Sequence, residues 1–366
     1  MDTFGNEQIE ASEVVFPCES LAENLAFFTE TLGFCLQMVY PADAPRVAVV
    51  SGYGVRIRLE EKPGEAPALL RLLGRGVDIA SGLAAELVAP NGTRVEFEAT
   101  DTSPFIPDLR PSLSVQKAGH QSNWVIGRAG MQYRDLIPDR WGGAYIASHI
   151  RIPEGGPVAD YVHHHHIIFQ LIYCYKGWVR VVYEDQGPEF VMQAGDCVLQ
   201  PPHIRHRVLE CSDEFEVIEI GCPAEHATLV DHDLSLPTEQ RHPERDFDGQ
   251  SFCFHQAAGV DWSTWRCDGF ESRDTGIARA TDNIVSVSVV RSTSTSASSL
   301  SRSSHAGELL FKFVLQGSLT LECGENERWN LVAGDACTIP AGIDYCLSDC
   351  SDDLEFLEVL TPSSSQ

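Results

Sequence analysis

A segment of this chain recurs across its second two-thirds, and that recurrence limits the possible architectures more than any other feature. Gly130-Met-Gln-Tyr-Arg134-Asp135 returns as Gly269-Phe-Glu-Ser-Arg273-Asp274. Further on, His165 lines up with His305, Gly177 with Gly317, Ala194-Gly195-Asp196-Cys197 with Ala333-Gly334-Asp335-Ala336, and Pro201 with Pro340. The offset is nearly constant, slipping by one residue in the serine-rich stretch before His305 and back before Gly334. Within a copy, short runs rich in Val, Ile, Phe and Tyr alternate with Gly, Pro, Asp and Asn turns, the pattern of an all-β sandwich or barrel. In the first copy this predicts strands over 167–182, 189–192, 196–200 and 214–221. No amphipathic helix of ordinary length interrupts either copy.

The expected division is therefore a copy over 130–232 and a copy over 269–361, with linkers over 105–129 and 233–268. The serine-rich stretch 292–304 reads as a mobile loop or an extended strand. Residues 1–104 differ in kind. Val14 to Pro17 reads as a strand, and Ser20 caps a helix whose apolar face is Leu21, Leu25, Phe28 and Leu32, closed by Gly33. Strands over 34–40, 46–51 and 55–60 follow, giving the order βαβββ. Pro90, Asn91 and Gly92 supply a hairpin turn between 84–88 and 93–98.

Composition bounds the function. A length of 366 residues with 43% apolar content allows two or three domains, each with its own core. The 26 basic residues against 53 acidic give a formal charge of −27, which repels nucleic acid and anionic membranes and argues against either as a partner. The 12 cysteines are scattered without a CxxC pair, which points to reduced, mostly buried thiols. No charged-then-apolar leader and no membrane-length apolar run is present, so a cytoplasmic protein is expected.

The chemistry concentrates in the first copy. His163, His164, His165 and His166 lie between a Gly155-Gly156-Pro157 turn and a strand, and His206 follows a second turn at Pro201. Neutral imidazoles on a rigid β scaffold hold a transition ion and leave coordination positions open. A strand sends alternate side chains to opposite faces, so either His163 with His165 or His164 with His166 points inward. The match of His305 to His165 favours the first pair, and a one-residue bulge would reverse it.

These features resemble the cupin superfamily of small jelly-roll β-barrels, in a two-barrel arrangement covering a little over half the chain. The family's first motif is glycine, His-x-His, an acidic residue and glycine; here Gly177 anchors it and places Gln170 where the acid belongs. Gly195, Pro201 and His206 fit the second motif. The resemblance implies a mainly β fold of two jelly-roll barrels after a small α+β module, and a metal held by His163, His165 and His206 with Gln170 beside it. A glutamine is no general base and only a weak neutral ligand, so the ion keeps more positive charge. That resembles the three-histidine iron cupins that activate dioxygen. The second copy offers Ser303, His305 and Tyr345 at the ligand positions, with Glu308 nearby, and a structural role is expected for it. Residues 25–34 and 89–97 resemble a vicinal-oxygen-chelate (glyoxalase-like) module, whose opening strand here carries Val14, Val15 and Phe16 instead of a histidine. No metal is expected there; a role in oligomerisation, as in a homodimer, or as a lid fits better.

The functional expectation is a non-haem Fe(II) dioxygenase acting on a small molecule that chelates the ion. The alternatives are a lyase or isomerase using Mn, Ni or Zn as Lewis acid, and a non-catalytic small-molecule binder. Arg151, Tyr173 and Trp178 are the candidate substrate contacts, although strand aromatics belong more often to a core. Arg134, Tyr145 and His149 are further pocket candidates, with Arg134 equally suited to pairing with Asp135.

Overall fold

The computed structural model describes residues 9–31, 33–52, 54–62, 69–74, 87–88, 94–99, 104–119, 124–293, 302–324 and 327–362. They form two units, one made of Met1–Phe105, His163–His166 and Glu225–Asp233, the other of Ile106–Val162, Ile167–Ala224 and Leu234–Gln366.

In the first unit the expected βαβββ order is present as Ile9–Cys18, a helix, Cys35–Tyr40, Val47–Gly52 and Val55–Glu61. The opening strand runs parallel to Val55–Glu61, as the helical crossover requires, and antiparallel to Leu69–Gly74. Ser20 caps the helix Leu21–Ala26, its hydroxyl accepting from the Glu23 amide at 3.4 Å, and the chain continues through a wider π turn over Phe27–Thr31. Leu21, Leu25 and Phe28 from this segment pack on Val39, Ala48, Val50, Ile57 and Leu59 of the sheet. Leu32 and the turn at Pro90, Asn91 and Gly92 lie outside the described residues, whereas Leu87–Val88 and Arg94–Ala99 pair antiparallel. The sheet recruits partners from far along the sequence: Thr228–Val230 pairs with Met38 and Val39, and His163–His165 pairs with Thr228–Val230. No local pattern in residues 1–104 announces this extension, because sheet edges pair without regard to sequence distance.

The second unit holds the two copies. In the first, the predicted run 167–182 is broken at Gly177 into the hairpin Phe169–Lys176 and Trp178–Tyr183, and the other predicted strands appear as Phe190–Gln193, Cys197–Gln200 and Phe215–Cys222. Ile146–Ile152, Phe215–Cys222, Phe169–Lys176 and Cys197–Gln200 lie side by side in one sheet, while Trp178–Tyr183 pairs with Phe190–Gln193 and His206–Cys211 in the opposing layer. Tyr133, Ile150, Val179, Val181, Met192 and Val217 fill the space between these layers. The second copy repeats the plan, with Ser286–Ser292, Glu355–Leu360, Leu309–Gln316 and Ala336–Pro340 facing a smaller sheet of Ser318–Cys323, Glu327–Val332 and Tyr345–Ser348. A third core joins the copies: Leu171, Tyr173, Ile218 and Ile220 of one pack in the same buried cluster as Phe311, Phe313, Leu357 and Val359 of the other.

The two segments expected as linkers contribute strands to these sheets, and one strand of each is exchanged. Ser114–Gln116, which precedes the first copy, pairs with Ala336, Cys337 and Thr338 of the second; Cys253–His255, which precedes the second copy, pairs with Cys197, Val198 and Leu199 of the first. The repeated Gly-Asp turns fasten both arms. Asp196 accepts from the Ala257 amide at 2.8 Å and Asp335 from the Ala118 amide at 2.7 Å, while the other oxygen of each closes its own turn on Gln193 or Val332.

Gly177 and Gly317 are equivalent to the level of single atoms. Both adopt φ of +72°, and a Cβ on either would stand 2.2 Å from the Ser212 hydroxyl or 2.3 Å from the Ser351 hydroxyl. Those hydroxyls in turn accept from the Trp178 and Ser318 amides at 3.0 and 2.8 Å. A left-handed backbone and a displaced acceptor each cost roughly 1–2 kcal/mol. Gly177→Ala and Gly317→Ala are therefore each expected to lower unfolding free energy by about 2 kcal/mol or more in urea titration, and a loss below about 0.5 kcal/mol would contradict this reading of the turns.

Candidate metal centre

The histidine run is a strand because it completes a sheet. His163 and His165 are buried, whereas His164 between them is partly exposed, as the two-residue period demands. His165 lies opposite Thr228 in the ladder. The fully buried Thr228 hydroxyl sits 3.0 Å from His165 Nδ1, and the His226 ring stands edge-on to His165 with centroids 5.3 Å apart. In the tautomer with Nδ1–H donating to this hydroxyl, the Nε2 lone pair is open to an ion.

His206 opens the strand His206–Cys211 directly after the turn at Pro201. Its Nδ1–H donates to the Ile204 carbonyl at 3.0 Å, which leaves Nε2 as the bare nitrogen. The ring stacks on Tyr183 at 5.4 Å, and Tyr183 accepts from Gln200 at 2.8 Å. Burial pushes the His206 imidazole down to about 4, outweighing the carbonyl, so the ring is neutral near pH 7 as a ligand must be. One ring nitrogen from each of His163, His165 and His206 lies within 4.8 Å of the others, the one such group of His, Cys, Asp or Glu found among the described residues.

Strand alternation sorts the remaining candidates. Phe169, Leu171 and Tyr173 face the core shared by the copies, so Gln170, Ile172 and Cys174 face the interior of the first barrel. Gln170 is 1% exposed, and its Oε1 has no hydrogen-bond partner among the described residues. Its placement suits a weak neutral ligand. Tyr173 is corrected from a substrate contact to a seam residue, and desolvation raises its hydroxyl well above the usual range. Trp178 alternates with the interior Val179 and Val181 and so points out of the barrel. Arg151 lies 4.0 Å over the Trp124 ring and donates to Gln132 at 2.7 Å, on the face opposite interior Ile150.

Arg134, His149 and Tyr145 also lie at the seam. Arg134 Nη2 contacts His149 Nδ1 at 2.9 Å and donates to the Gly334 carbonyl at 2.7 Å, rather than pairing with Asp135; His149 Nε2 meets Glu216 at 2.7 Å. Tyr145 donates to Glu308 of the second copy at 2.9 Å.

A residue that the motif reading passed over is Glu219. It lies opposite both Ile172 and Ser148 in the sheet and shares the interior face with Val217. The repeat carried a signal for it, since Glu358 stands opposite Lys312 as Glu219 stands opposite Ile172. In the second barrel that carboxylate is buried, bonded to Lys312 and to Arg266 Nη2 at 2.8 Å, and held below the usual range by those two cations despite its burial. Ser303 and Tyr345 there exchange backbone hydrogen bonds at 2.9 and 2.8 Å, and His305 Nε2 is spent on the Ile339 carbonyl at 2.8 Å. The second barrel thus carries a lysine–glutamate–arginine cluster in its interior, with its lone histidine tied to backbone.

Residues 148–220, which include the histidine run and His206, match the family model of the cupin domain. No curated protein sequence matches the chain. Solved structures similar to it include a formate complex of oxalate decarboxylase from Lactobacillus farciminis, at 14% identity over 69% of this chain and 86% of that one, with a TM-score of 0.51. Another is the 11S globulin from Wrightia tinctoria, at 12% identity over 72% and 88%, also with a TM-score of 0.51. At such identities the likeness speaks for the fold and leaves the chemistry to the residues. No helix among the described residues is long and apolar enough to cross a membrane.

The neutral His206 makes the metal-free protein acid-sensitive. Its folded value of about 4 lies below the ordinary 6.5, so between these pH values the unfolded chain binds a proton that the native state refuses. Its contribution is complete above pH 6.5 and is lost as pH falls towards 4, by roughly 3 kcal/mol in total. Wild type is expected to lose that much more stability over this window than His206→Gln, measured by urea unfolding of metal-free protein. Parallel pH profiles would refute the assignment.

Proposed function

We propose that this chain is a metal-dependent cupin enzyme acting on a small organic substrate, and in particular a non-haem Fe(II) dioxygenase. The convergence of buried nitrogens from His163, His165 and His206 carries this reading. Those three residues would hold the ion, with Gln170 as a fourth, neutral neighbour. Bound iron would supply one-electron chemistry towards dioxygen and a Lewis-acidic centre for a chelating substrate. Around it the chain's own residues do the positioning: Thr228 and the Ile204 carbonyl orient two of the rings, and the packed interior of Tyr183, Val181 and Val217 keeps water away. Charge accounting supports the assignment, because three neutral imidazoles leave a divalent ion its full charge, suited to an anionic ligand.

A second reading, a lyase or isomerase that uses Mn, Ni or Zn as Lewis acid, is favoured by Glu219. Its interior carboxylate supplies the base that Gln170 does not. For the first unit, the βαβββ order with a parallel first and fourth strand supports kinship with glyoxalase-like modules.

Elemental analysis of protein purified without an affinity tag tests the proposal. One ion per chain is expected in wild type, with His163→Ala and His206→Ala falling at least tenfold; full retention by either variant rejects the ligand set. Iron with substrate-dependent oxygen uptake that stops on chelation supports the dioxygenase, whereas turnover without oxygen assigns the Lewis-acid reading. Thr228→Val is expected to weaken metal affinity about 10- to 100-fold while Thr228→Ser preserves it, as read by chelator competition.

A further inference from the structure

The metal reading leaves the N-terminal module without a task, yet two of the three candidate ligands are held by its sheet. His163–His166 and Glu225–Asp233 form one unit with Met1–Phe105. Within that unit Thr228–Val230 is the middle of three strands, with Cys35–Tyr40 on one side and His163–His165 on the other. The register makes two continuous rows across them: Val39, Thr228 and His165 in one, Met38, Leu229 and His164 in the other. Residues directly opposite in a ladder share a face, so Val39 points the same way as Thr228 and His165. Val39 is buried and packs with Leu21, Ala48, Val50 and Leu59 in the core of the module. The row therefore runs from a packed core residue, through the hydroxyl that meets His165 Nδ1 at 3.0 Å, to the candidate ligand.

Side chains fasten both ends of the middle segment to the module. At its start Glu225 accepts from the Tyr40 hydroxyl at 3.0 Å and pairs with Arg46. Burial, with Glu225 beside it, pushes the Tyr40 hydroxyl up to about 12, so the phenol remains a donor near pH 7. At the other end His232 Nε2 donates to the Leu36 carbonyl. Between these points the Ala227 carbonyl accepts from the His166 amide at 3.0 Å, and the His226 ring stands edge-on to His165. An exposed ion pair such as Arg46 with Glu225 adds little to global stability. Its place immediately before His226, in the segment that carries Thr228, makes it instead a constraint on where the histidine strand sits. Imidazole ligands bind an ion well only when neighbouring groups fix their orientation.

From this we infer that the N-terminal module is the positioning element of the candidate metal site. Glu225, gripped by Tyr40 and Arg46, is its positioning residue and acts on His165 through the Thr228 strand. The inference rests on the metal-site reading for what the histidines hold, whereas the placement of their strand is a property of the chain alone. It gives residues 1–104 a task within a single chain, distinct from oligomerisation or a lid.

The full-length chain, as wild type and as Glu225→Ala, tests it. Hydrogen exchange over residues 163–166 is measured on metal-free protein, and Co(II) loading is then followed by visible absorption and chelator competition. Arg56→Gln is the control, because it breaks the Arg56–Glu13 pair on the same sheet, away from the Thr228 strand. Glu225→Ala is expected to speed exchange of these amides at least threefold, to lower Co(II) affinity at least threefold and to alter the absorption band, while Arg56→Gln leaves all three unchanged. Tyr40→Phe, which deletes a single hydroxyl, is expected to act in the same direction and serves if Glu225→Ala fails to fold. A change below threefold in either measurement, an unaltered band, or an equal loss in Arg56→Gln overturns the inference. Should wild type bind no Co(II), the metal reading falls separately, and the exchange comparison still decides whether the module sets the histidine strand.

Discussion

Everything in the second unit depends on strands buried on both faces. Phe169–Lys176 and Leu309–Gln316 each present one face to the interior of their own barrel and the other to the hydrocarbon shared by the two copies. With Phe169, Leu171 and Tyr173 committed to that shared core, Gln170 has no choice but the interior, and the side chain ends there by parity rather than by affinity. Neither copy could bury its seam face alone. The exchanged arms, Ser114–Gln116 on the second copy and Cys253–His255 on the first, cover sheet edges that would otherwise stand open. The Asp196 and Asp335 turns hold those arms by the same pair of amide bonds, so the duplication preserved the joint together with the barrel.

Within that common frame the two barrels solve the problem of a buried carboxylate in different ways. The second places Lys312 opposite Glu358 and adds Arg266, making a closed cluster of fixed charge. The first has Ile172 at the lysine position, opposite Glu219, and gathers three histidines instead. A buried ion pair of the first kind is strongly destabilising to break and offers nothing for a ligand to do. Under the proposed reading, the three neutral imidazoles would hold an ion there. The contrast between a closed lysine–glutamate–arginine cluster and a gathered trio of histidines is the physical basis for proposing chemistry in the first barrel and support in the second.

Much of this was legible in the residues. The duplicated Gly-Asp and Gly177/Gly317 positions are readable because a left-handed turn admits few alternatives to glycine, and the two-residue period selected His163 and His165 as partners for His206. Glu219 was passed over because it belongs to no motif and stands in the middle of an apolar strand. Tyr173 was placed at the substrate although it stands at the seam, and Arg151 although it lies over Trp124 on the face opposite the interior, since period alone says that two faces differ without saying what each one meets.

The order of short strands, the duplication and the alternation of faces follow from local chemistry, where turn residues and apolar spacing act over a few positions, and the sequence by itself determined them. The tertiary structure alone decided which sheet edges meet. It sent Ser114–Gln116 and Cys253–His255 to opposite copies, seated the histidine strand beside Thr228, and turned one face of each barrel into a shared core. Those choices rest on pairings between residues as far apart as Ser114 and Thr338, whose hydrogen bonds are identical in kind to any other and leave no mark in the sequence near either end.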